Sequence, residues 1–352
     1  MTGQGAGRIQ RRRVVDVSPD DAPPGLRDVA AAAGVSVATV SNVLNSTGRF
    51  SEKTRIRVEQ AVRELGFVRN RSAVELRTRE RTIIGLLVPN LANAFFAQMA
   101  RGVVDRAADH GLLVVVSDSA DDEEREAGSL ISLTEQQVDD LVVLPVRGAD
   151  ALLERWTPPR LAHLVFIDAD APADRCAVSA DDVAGGALVL EHLAAMGARR
   201  VGYLAPPSVR ITRDRFRGAQ QAAAAAGVSL EWVAADAMDV QAGAVAGQRL
   251  LAEGLRFDGL ATANDLMAVG LLRSLAEGGV SVPDEVLVVG YDDLERSADL
   301  PIPLTSVRQP TNELGSLALD MLLSERSAEP HDHTRRVLQP ELVARASTTR
   351  RP

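Results

Sequence analysis

From Thr82 to Gly290 the chain alternates short apolar runs with longer stretches of helical pattern, and no other feature limits its possible folds so strongly. The runs Thr82–Val88, Leu112–Ser117, Leu141–Leu144, Leu164–Ile167, Arg200–Leu204, Gly259–Thr262 and Leu287–Gly290 read as strands. Stretches such as Phe95–Asp109, Val183–Met196 and Leu266–Glu277 lie between them and read as helices. Strands buried on both faces are continuous apolar runs, and their alternation with helices predicts parallel sheets covered on both sides, a doubly wound α/β architecture. Ligands of such folds bind beyond the carboxyl ends of the strands. The polar residues just after the runs are therefore the first candidates: Asn90, Asp118, Asp168, Asn264 and Asp292.

The rest of the composition excludes more than it selects. A length of 352 residues suits two or three domains, and 46% apolar with 25% charged residues is ordinary for a globular chain. No apolar run reaches the length of a membrane span. The basic N-terminus is followed by acid and proline rather than an apolar stretch, which argues against a secretory signal. One cysteine, Cys176, forbids an intrachain disulfide and fits a cytoplasmic protein. It has no evident histidine partner in sequence. His110, His163, His192, His331 and His333 show no metal-ligand spacing and read as structural or exposed, so neither metal nor cofactor is expected. Phosphate loops, dinucleotide fingerprints, nucleophile elbows and triads are absent from the sequence, which excludes the common enzyme classes.

Ahead of the α/β region lies a different kind of segment. Residues 1–24 are rich in Gly, Arg and Asp and end in Pro23-Pro24, a disordered lead-in by composition. Residues 26–81 carry a balance of +5 and residues 82–352 one of −15, within a total of −9. A basic module on an acidic body suits contact of the first part alone with a polyanion. Leu26, Val29, Ala30 and Ala33 share one helical face, and Gly34 can end that helix. Ser36 can cap a second helix with Val40, Val43 and Leu44 inward and Val37, Ala38, Ser41 and Asn42 outward. A third starts at Ser51, with Val58, Ala61, Val62 and Leu65 inward and Gly66 at its end. This is the pattern of a helix-turn-helix, whose second helix enters the major groove. Thr39 and Ser41 suit phosphates and Asn42 a base edge, while Arg49, Lys53, Arg55 and Arg57 add charge for phosphates. A generic three-helix bundle with a solvated basic face fits the same periodicity.

The words DVA…AGVS, TVS.VLN and S.KTR.RV..A..ELG within Leu26–Leu76 resemble the DNA-binding headpiece of the lactose/galactose repressor (LacI/GalR) family. The resemblance continues through IGLLVPNLANAFFAQMARGV, VFIDAD, TRDRFRGAQQA, TANDLMAVGLL, VVGYDDLE, PLTSVRQP and LVARAST, over about nine-tenths of the chain. It implies an all-α helix-turn-helix headpiece followed by a two-lobed body of the periplasmic-binding-protein type. The expected boundaries are 25–68 for the headpiece, 69–81 for a hinge helix and linker, and 82–348 for effector binding and dimerisation. Within the body the N-lobe is placed at about 82–179 plus 311–338, and the C-lobe at about 180–310 plus 339–348.

By that resemblance Val37, Ala38 and Asn42 occupy base-reading positions, and Ser36, Thr39, Ser41 and Asn45 phosphate- or base-contacting ones. Leu76 would wedge into the minor groove. The hinge departs from the family pattern, since Glu75 places a carboxylate beside phosphates. The cleft is expected to hold Asp168, Arg215, Asn264, Asp292 and Gln309, with Asn93, Phe95 and Phe96 lining it from the N-lobe. Such a set suits a hydroxyl-rich ligand, a sugar or polyol. Asp292 also suits a helix cap, Asp168 a turn, and one of the two phenylalanines the core. Where many relatives carry a stacking aromatic, Met238 stands here. The function implied is a transcriptional repressor, cytoplasmic and nucleoid-associated, binding a palindromic operator as a homodimer under effector control. A solute receptor with the same lobes is the alternative.

Overall fold

The computed structural model describes residues 24–45, 47–67, 82–159, 162–167, 171–327 and 331–349. The hinge segment with Glu75 and Leu76, the lead-in before Pro24, and Asp168 lie outside them. The chain divides between Glu80 and Arg81 into two compact units.

Among the described residues the first unit holds three helices, α1 (Leu26–Ala33), α2 (Val37–Leu44) and α3 (Glu52–Leu65). Its boundaries follow from side-chain chemistry. Ser36 Oγ accepts the Thr39 N–H and Ser51 Oγ accepts the Thr54 N–H, each at 3.1 Å, so one serine cap opens α2 and another opens α3. Gly34 and Gly66, both at φ 62°, end α1 and α3 in the left-handed conformation. Gly25 caps α1 without a side chain, and Asp28 compensates by accepting the Gly25 N–H at 2.7 Å. Val29, Ala30, Ala33, Val40, Val43, Val58 and Ala61 form the buried core. Leu26 and Leu65, expected inward, are each 37% exposed. They sit in the first and last turns, where the helix has outrun its neighbours.

The second unit contains two six-stranded sheets. The N-terminal lobe has β1 (Ile83–Val88), α4 (Ala94–Asp109), β2 (Leu113–Asp118), α5 (Glu123–Glu135), β3 (Asp140–Val143), α6 (Ala149–Arg155), β4 (His163–Ile167) and β5 (Cys176–Ala180). The C-terminal lobe has α7 (Asp182–Ala195), β6 (Arg200–Ala205), α8 (Arg210–Ala226), β7 (Ser229–Ala234), α9 (Val240–Ala252), β8 (Gly259–Thr262), α10 (Asp265–Glu277), β9 (Leu287–Asp292) and β10 (Thr305–Arg308). The chain then returns for α11 (Thr311–Ser327) and β11 (Arg335–Leu338) and ends with β12 (Glu341–Val343). The sheet orders are β11-β5-β4-β3-β1-β2 and β12-β10-β9-β8-β6-β7. All neighbours are parallel except β10 and β12. All seven runs read as strands from the sequence are strands here.

The backbone crosses between lobes three times, at residue 181, at residues 309–310 and at residues 339–340. The first and third crossings are tied together. The Asp181 N–H donates to the Leu338 carbonyl at 2.9 Å, and Gln339 Nε2 donates to Asp181 Oδ2 at 3.3 Å.

Three helix pairs close through reciprocal glycines. A methyl group at Gly186 of α7 would lie 1.7 Å from the Arg215 carbonyl oxygen, and one at Gly218 of α8 would lie 1.8 Å from that of Val183. Gly243 and Gly270 stand in the same relation to Met267 and Val240 across α9 and α10. Gly102 and Gly315 do so to Asn312 and Met99 across α4 and α11. In each pair every glycine faces the carbonyl three residues before its partner glycine, so the helices touch backbone to backbone.

Candidate DNA-reading surface and effector cleft

In the first unit the outer face of α2 is open. Val37 is 41% exposed, and Ala38 and Asn42 are exposed beside it, while Val40 and Val43 are buried. The small residues at the start of α2 leave its N-terminus unobstructed for close approach to a base edge. Thr39 and Ser41 are half-buried with partners inside the helix. Thr39 Oγ1 lies 2.9 Å from Ser36 Oγ, and Asn45 Nδ2 donates to the Ser41 carbonyl and hydroxyl at 2.7 and 3.1 Å. Asn45 is thus also the C-cap of α2.

Of the basic residues expected at phosphates, Arg49 is exposed. Arg55 is engaged within its own helix. Its guanidinium donates to Glu52 and, at 2.7 Å, to Glu59 on its own helix, because these residues stand at i,i+3 and i,i+4 spacing. The two carboxylates raise the Arg55 pKa, and Arg55 holds Glu52 below the usual carboxylate range. The trio is a net anion, so Arg55 is poorly placed to neutralise a phosphate.

In the second unit the carboxyl ends of the C-lobe strands gather four of the expected residues. Arg215, Asn264, Asp292 and Gln309 are all buried, between 2% and 6% exposed. Gln309 Nε2 donates to Asp292 Oδ1 at 2.8 Å, and Gln309 Oε1 is buried without a hydrogen-bond partner. Asn264 caps α10 by accepting the Met267 N–H at 2.9 Å, and its Nδ2 donates to the Met238 carbonyl at the same distance. Met238 takes part through its backbone, and its side chain packs on the C-lobe core.

Arg215 departs from the expected free donor fork. Its Nε donates to Asp182 at 2.7 Å, one terminal nitrogen donates to the Ala263 carbonyl at 2.6 Å, and the guanidinium lies 3.6 Å over the Tyr291 ring. Burial opposes its charge, but Asp182, Tyr291 and Asp292 outweigh that and hold its pKa above normal.

The turn after β9 is strained and braced. Asp292 and Asp293 have φ of 102° and 50°, a backbone that costs residues with a Cβ about 1–3 kcal/mol each. Asp265 does the bracing. Its carboxylate accepts from the Leu294 N–H, Ser297 Oγ and Ser306 Oγ at 2.8, 2.5 and 2.6 Å. Burial raises it to about 6 despite these bonds. Arg308 and Arg345 hold Asp293 at 2.7 and 2.6 Å. Sequence reasoning missed Asp182 and Asp265. An Asp at a helix start reads as a cap, and nothing local shows that it also serves a residue 33 or 41 positions away.

From the N-lobe, Asn93 caps α4 by accepting the Phe95 N–H at 3.1 Å. Phe95 is 5% exposed and belongs to the N-lobe core, which corrects its expected place on the cleft wall. Phe96 is half-buried against it, ring centroids 5.2 Å apart. Leu266 and Leu294 of the C-lobe pack on the same cluster. Trp232 lies with Tyr203 and Phe216 in the C-lobe and donates to the Ala205 carbonyl at 3.1 Å. Asn90 and Asp118 serve local turns, accepting the Ala92 and Ala120 N–H. Cys176, without an evident histidine partner in sequence, has two in the fold. His331 and His333 both lie against Cys176.

Two family models match the chain, "Bacterial regulatory proteins, lacI family" over residues 25–70 and "Periplasmic binding protein-like domain" over residues 190–348. The chain is 30% identical to the ribose operon repressor of Escherichia coli over 92% of its length and 99% of that protein. It is 31% identical to the HTH-type transcriptional repressor PurR of Aliivibrio fischeri, over 93% and 98% respectively. Among solved structures, a Lac repressor dimer bound to operator and the anti-inducer ONPF superposes with a TM-score of 0.81 at 29% identity, covering 93% of this chain and 99% of that one. The headpiece model disposes of the receptor alternative, since a plain solute receptor has no helix-turn-helix to match it. The chain belongs to the LacI family of bacterial regulatory proteins, which are DNA-binding transcriptional regulators and not enzymes.

Proposed function

We propose that this regulator is a repressor that binds a two-fold symmetric operator as a homodimer and responds to a hydroxyl-rich small molecule, a sugar or polyol, between its lobes. The observation that carries the reading is the open face of α2, where Val37, Ala38 and Asn42 stand exposed on a doubly capped helix. Asn42 reads a base edge; Ser36, Thr39, Ser41, Asn45 and Arg49 position the helix against phosphates. Leu76 is assigned the minor-groove wedge, with Glu75 as its electrostatic opponent.

The effector set is Asn264, Asp292 and Gln309, with Phe96 and Asn93 across the cleft and Asp168 completing it. Arg215 acts from behind, fixing the field at Asp292. The unpartnered Gln309 Oε1 supports this assignment, because a buried acceptor suits a ligand hydroxyl. Asn264, Asp292 and Gln309 are closed to solvent, so a ligand reaches them only as the lobes part. Lobe closure would then shift the pairing of two N-lobes and with it the spacing of two headpieces. Dimerisation is supported by β2, an edge strand whose Leu113, Val115 and Val116 are 53%, 38% and 38% exposed. No described helix is long and apolar enough to cross a membrane. As a regulator of chromosomal genes, the protein would act in the bacterial cytoplasm, at the nucleoid.

The test is to sequence the DNA fragments retained by purified protein with and without a panel of sugars and polyols. A palindromic site whose occupancy changes with one compound is expected. Indiscriminate retention, or a response to none of the hydroxylated compounds with a response to another class, would refute the corresponding half of the proposal.

A further inference from the structure

We propose that Cys176, Glu325, His331 and His333 form a binding site for one divalent transition-metal ion of the zinc class. The four side chains come from three segments. Cys176 opens β5, Glu325 lies in the last turn of α11, and the two histidines stand in the loop that leads into β11. One donor atom from each lies within 4.8 Å of all the others. Cys176 Sγ is 3.1 Å from His331 Nε2 and 3.7 Å from His333 Nδ1, and His333 Nδ1 is 3.3 Å from a Glu325 carboxylate oxygen. A tetrahedral zinc ion with ordinary bond lengths sets its donors about 3.4–3.6 Å apart. The observed separations straddle that spacing.

The donor set also balances in charge. One thiolate and one carboxylate with two neutral imidazoles carry two negative charges, which a divalent cation cancels. That matters where Cys176 is fully buried and Glu325 is 7% exposed. Without an ion, burial above all and the nearby Glu325 push the Cys176 thiol up, so the sulfur keeps its proton. A metal would displace that proton and take its place between sulfur and imidazole. Thiolate with imidazole selects zinc over magnesium or calcium. The outer contacts are built as well. The second Glu325 oxygen accepts the Leu164 N–H of β4 at 3.2 Å, and the Thr334 carbonyl accepts the Ala177 N–H of β5 at 3.0 Å, which registers the histidine loop on the sheet. A nucleophilic role for Cys176 fails on access, because no substrate reaches a fully buried sulfur.

The location gives the site a structural effect. Cys176 is at the amino end of β5, and the parallel register puts the amino ends of β1, β4 and β11 at the same edge. The ion would sit at the end of the N-lobe where Ile83 opens β1, away from the cleft. There it would fasten the edge strand β11 to β5 and α11.

The test uses full-length, tag-free protein freed of metal with a chelator and titrated with Co²⁺, then with Zn²⁺. The chain has one cysteine, so any thiolate-to-cobalt charge-transfer band reports Cys176. One Co²⁺ per chain is expected, with that band and intense tetrahedral bands in the visible, all abolished by Zn²⁺. Cys176→Ser should lose the charge-transfer band. Replacing both half-exposed histidines, His331→Ala with His333→Ala, should weaken binding by about a hundredfold or more, with an unchanged circular dichroism spectrum. A pale octahedral spectrum in the wild type, no charge-transfer band, or a band that survives the double histidine variant would overturn the proposal.

Discussion

The same substitution, glycine to alanine, should have opposite effects at Gly218 and Gly128. Gly128 lies within α5, and an added methyl there meets nothing within 4 Å. Only helix propensity acts, so Gly128→Ala should stabilise by about 1 kcal/mol. At Gly218 the methyl would lie 1.8 Å from the Val183 carbonyl oxygen, where ordinary contact begins at 3.4 Å. Helices α7 and α8 must then part by about 1.6 Å along that line. The Arg215–Asp182 hydrogen bond spans the same two helices at 2.7 Å, and the parting would stretch it beyond bonding range. Overpacking alone costs about 1–3 kcal/mol, and loosening a buried ion pair adds to it. We expect a loss of about 3–5 kcal/mol, a fall of about 10 °C in the unfolding midpoint of a unit this size, against a rise of about 2–4 °C for Gly128→Ala. Thermal and urea unfolding of the two full-length variants, followed by circular dichroism, reads both. A neutral or stabilising Gly218→Ala would mean that α7 and α8 do not meet backbone to backbone, and the placement of Arg215 would fall with it.

Asn42→Ala should relax preference at one or two operator positions by about 1–3 kcal/mol in a randomised-operator selection, whereas Arg49→Ala should weaken all sequences alike and lower the salt slope by about one. Arg55→Ala should leave that slope nearly unchanged, because Glu52 and Glu59 already engage the guanidinium; a loss equal to that of Arg49→Ala would show the trio opens on DNA. Arg215→Ala strands Asp182 and should destabilise the body by about 3–5 kcal/mol, while Asp292→Asn, which tolerates the left-handed backbone, should keep fold and operator affinity but lose the effector response. Calorimetry giving full effector binding to Asp292→Asn would remove that residue from the site. Glu126 is buried, and desolvation raises its carboxyl from 4.5 to about 7 even though it accepts the Val146 N–H at 2.7 Å. The folded form holds this proton to a higher pH than the unfolded form, so stability falls as pH rises from 4.5 to about 7, by about 3 kcal/mol in all. Glu126→Gln should flatten urea midpoints across that window; an unaltered pH dependence would assign the titration elsewhere. Val115→Lys on the exposed edge of β2 should yield monomers by light scattering and abolish operator binding, and an intact dimer would move the interface off this strand.

The sequence showed those parts of the fold that local pattern determines. Seven strands were readable because each is a continuous apolar run, six of them buried in the sheets and the seventh, β2, an apolar edge strand. The strands β5, β7, β10, β11 and β12 were not. CAVSA and TSVR are short and small, and in RRVL three of four residues are exposed, so only pairing with a neighbour makes them strands. The cleft divides the same way. Asn264 and Asp292 come at the ends of legible strands and could be found from position alone, whereas Gln309 follows the illegible β10 and was reached only through the family resemblance. Asp182 and Asp265 act across the fold, and Arg55 reads as a free cation unless Glu52 and Glu59, three and four residues away, are weighed with it. The Cys176–His331 contact joins residues 155 apart, beyond any spacing rule.

Gln309 is both a buried partner of Asp292 and one of the two residues of the middle crossing between lobes. On the proposed effector assignment, the pivot and the receptor would be the same piece of chain. In most hinged proteins a ligand acts on the hinge at a distance, by pulling on the bodies that it joins. Here a molecule that displaces the Gln309–Asp292 bond grips the fulcrum itself. The other two crossings are laced together through Asp181, Leu338 and Gln339, which would confine motion about that fulcrum to one arc. Ligands of different size would then differ less in how far they move the lobes than in where along one fixed arc they stop them.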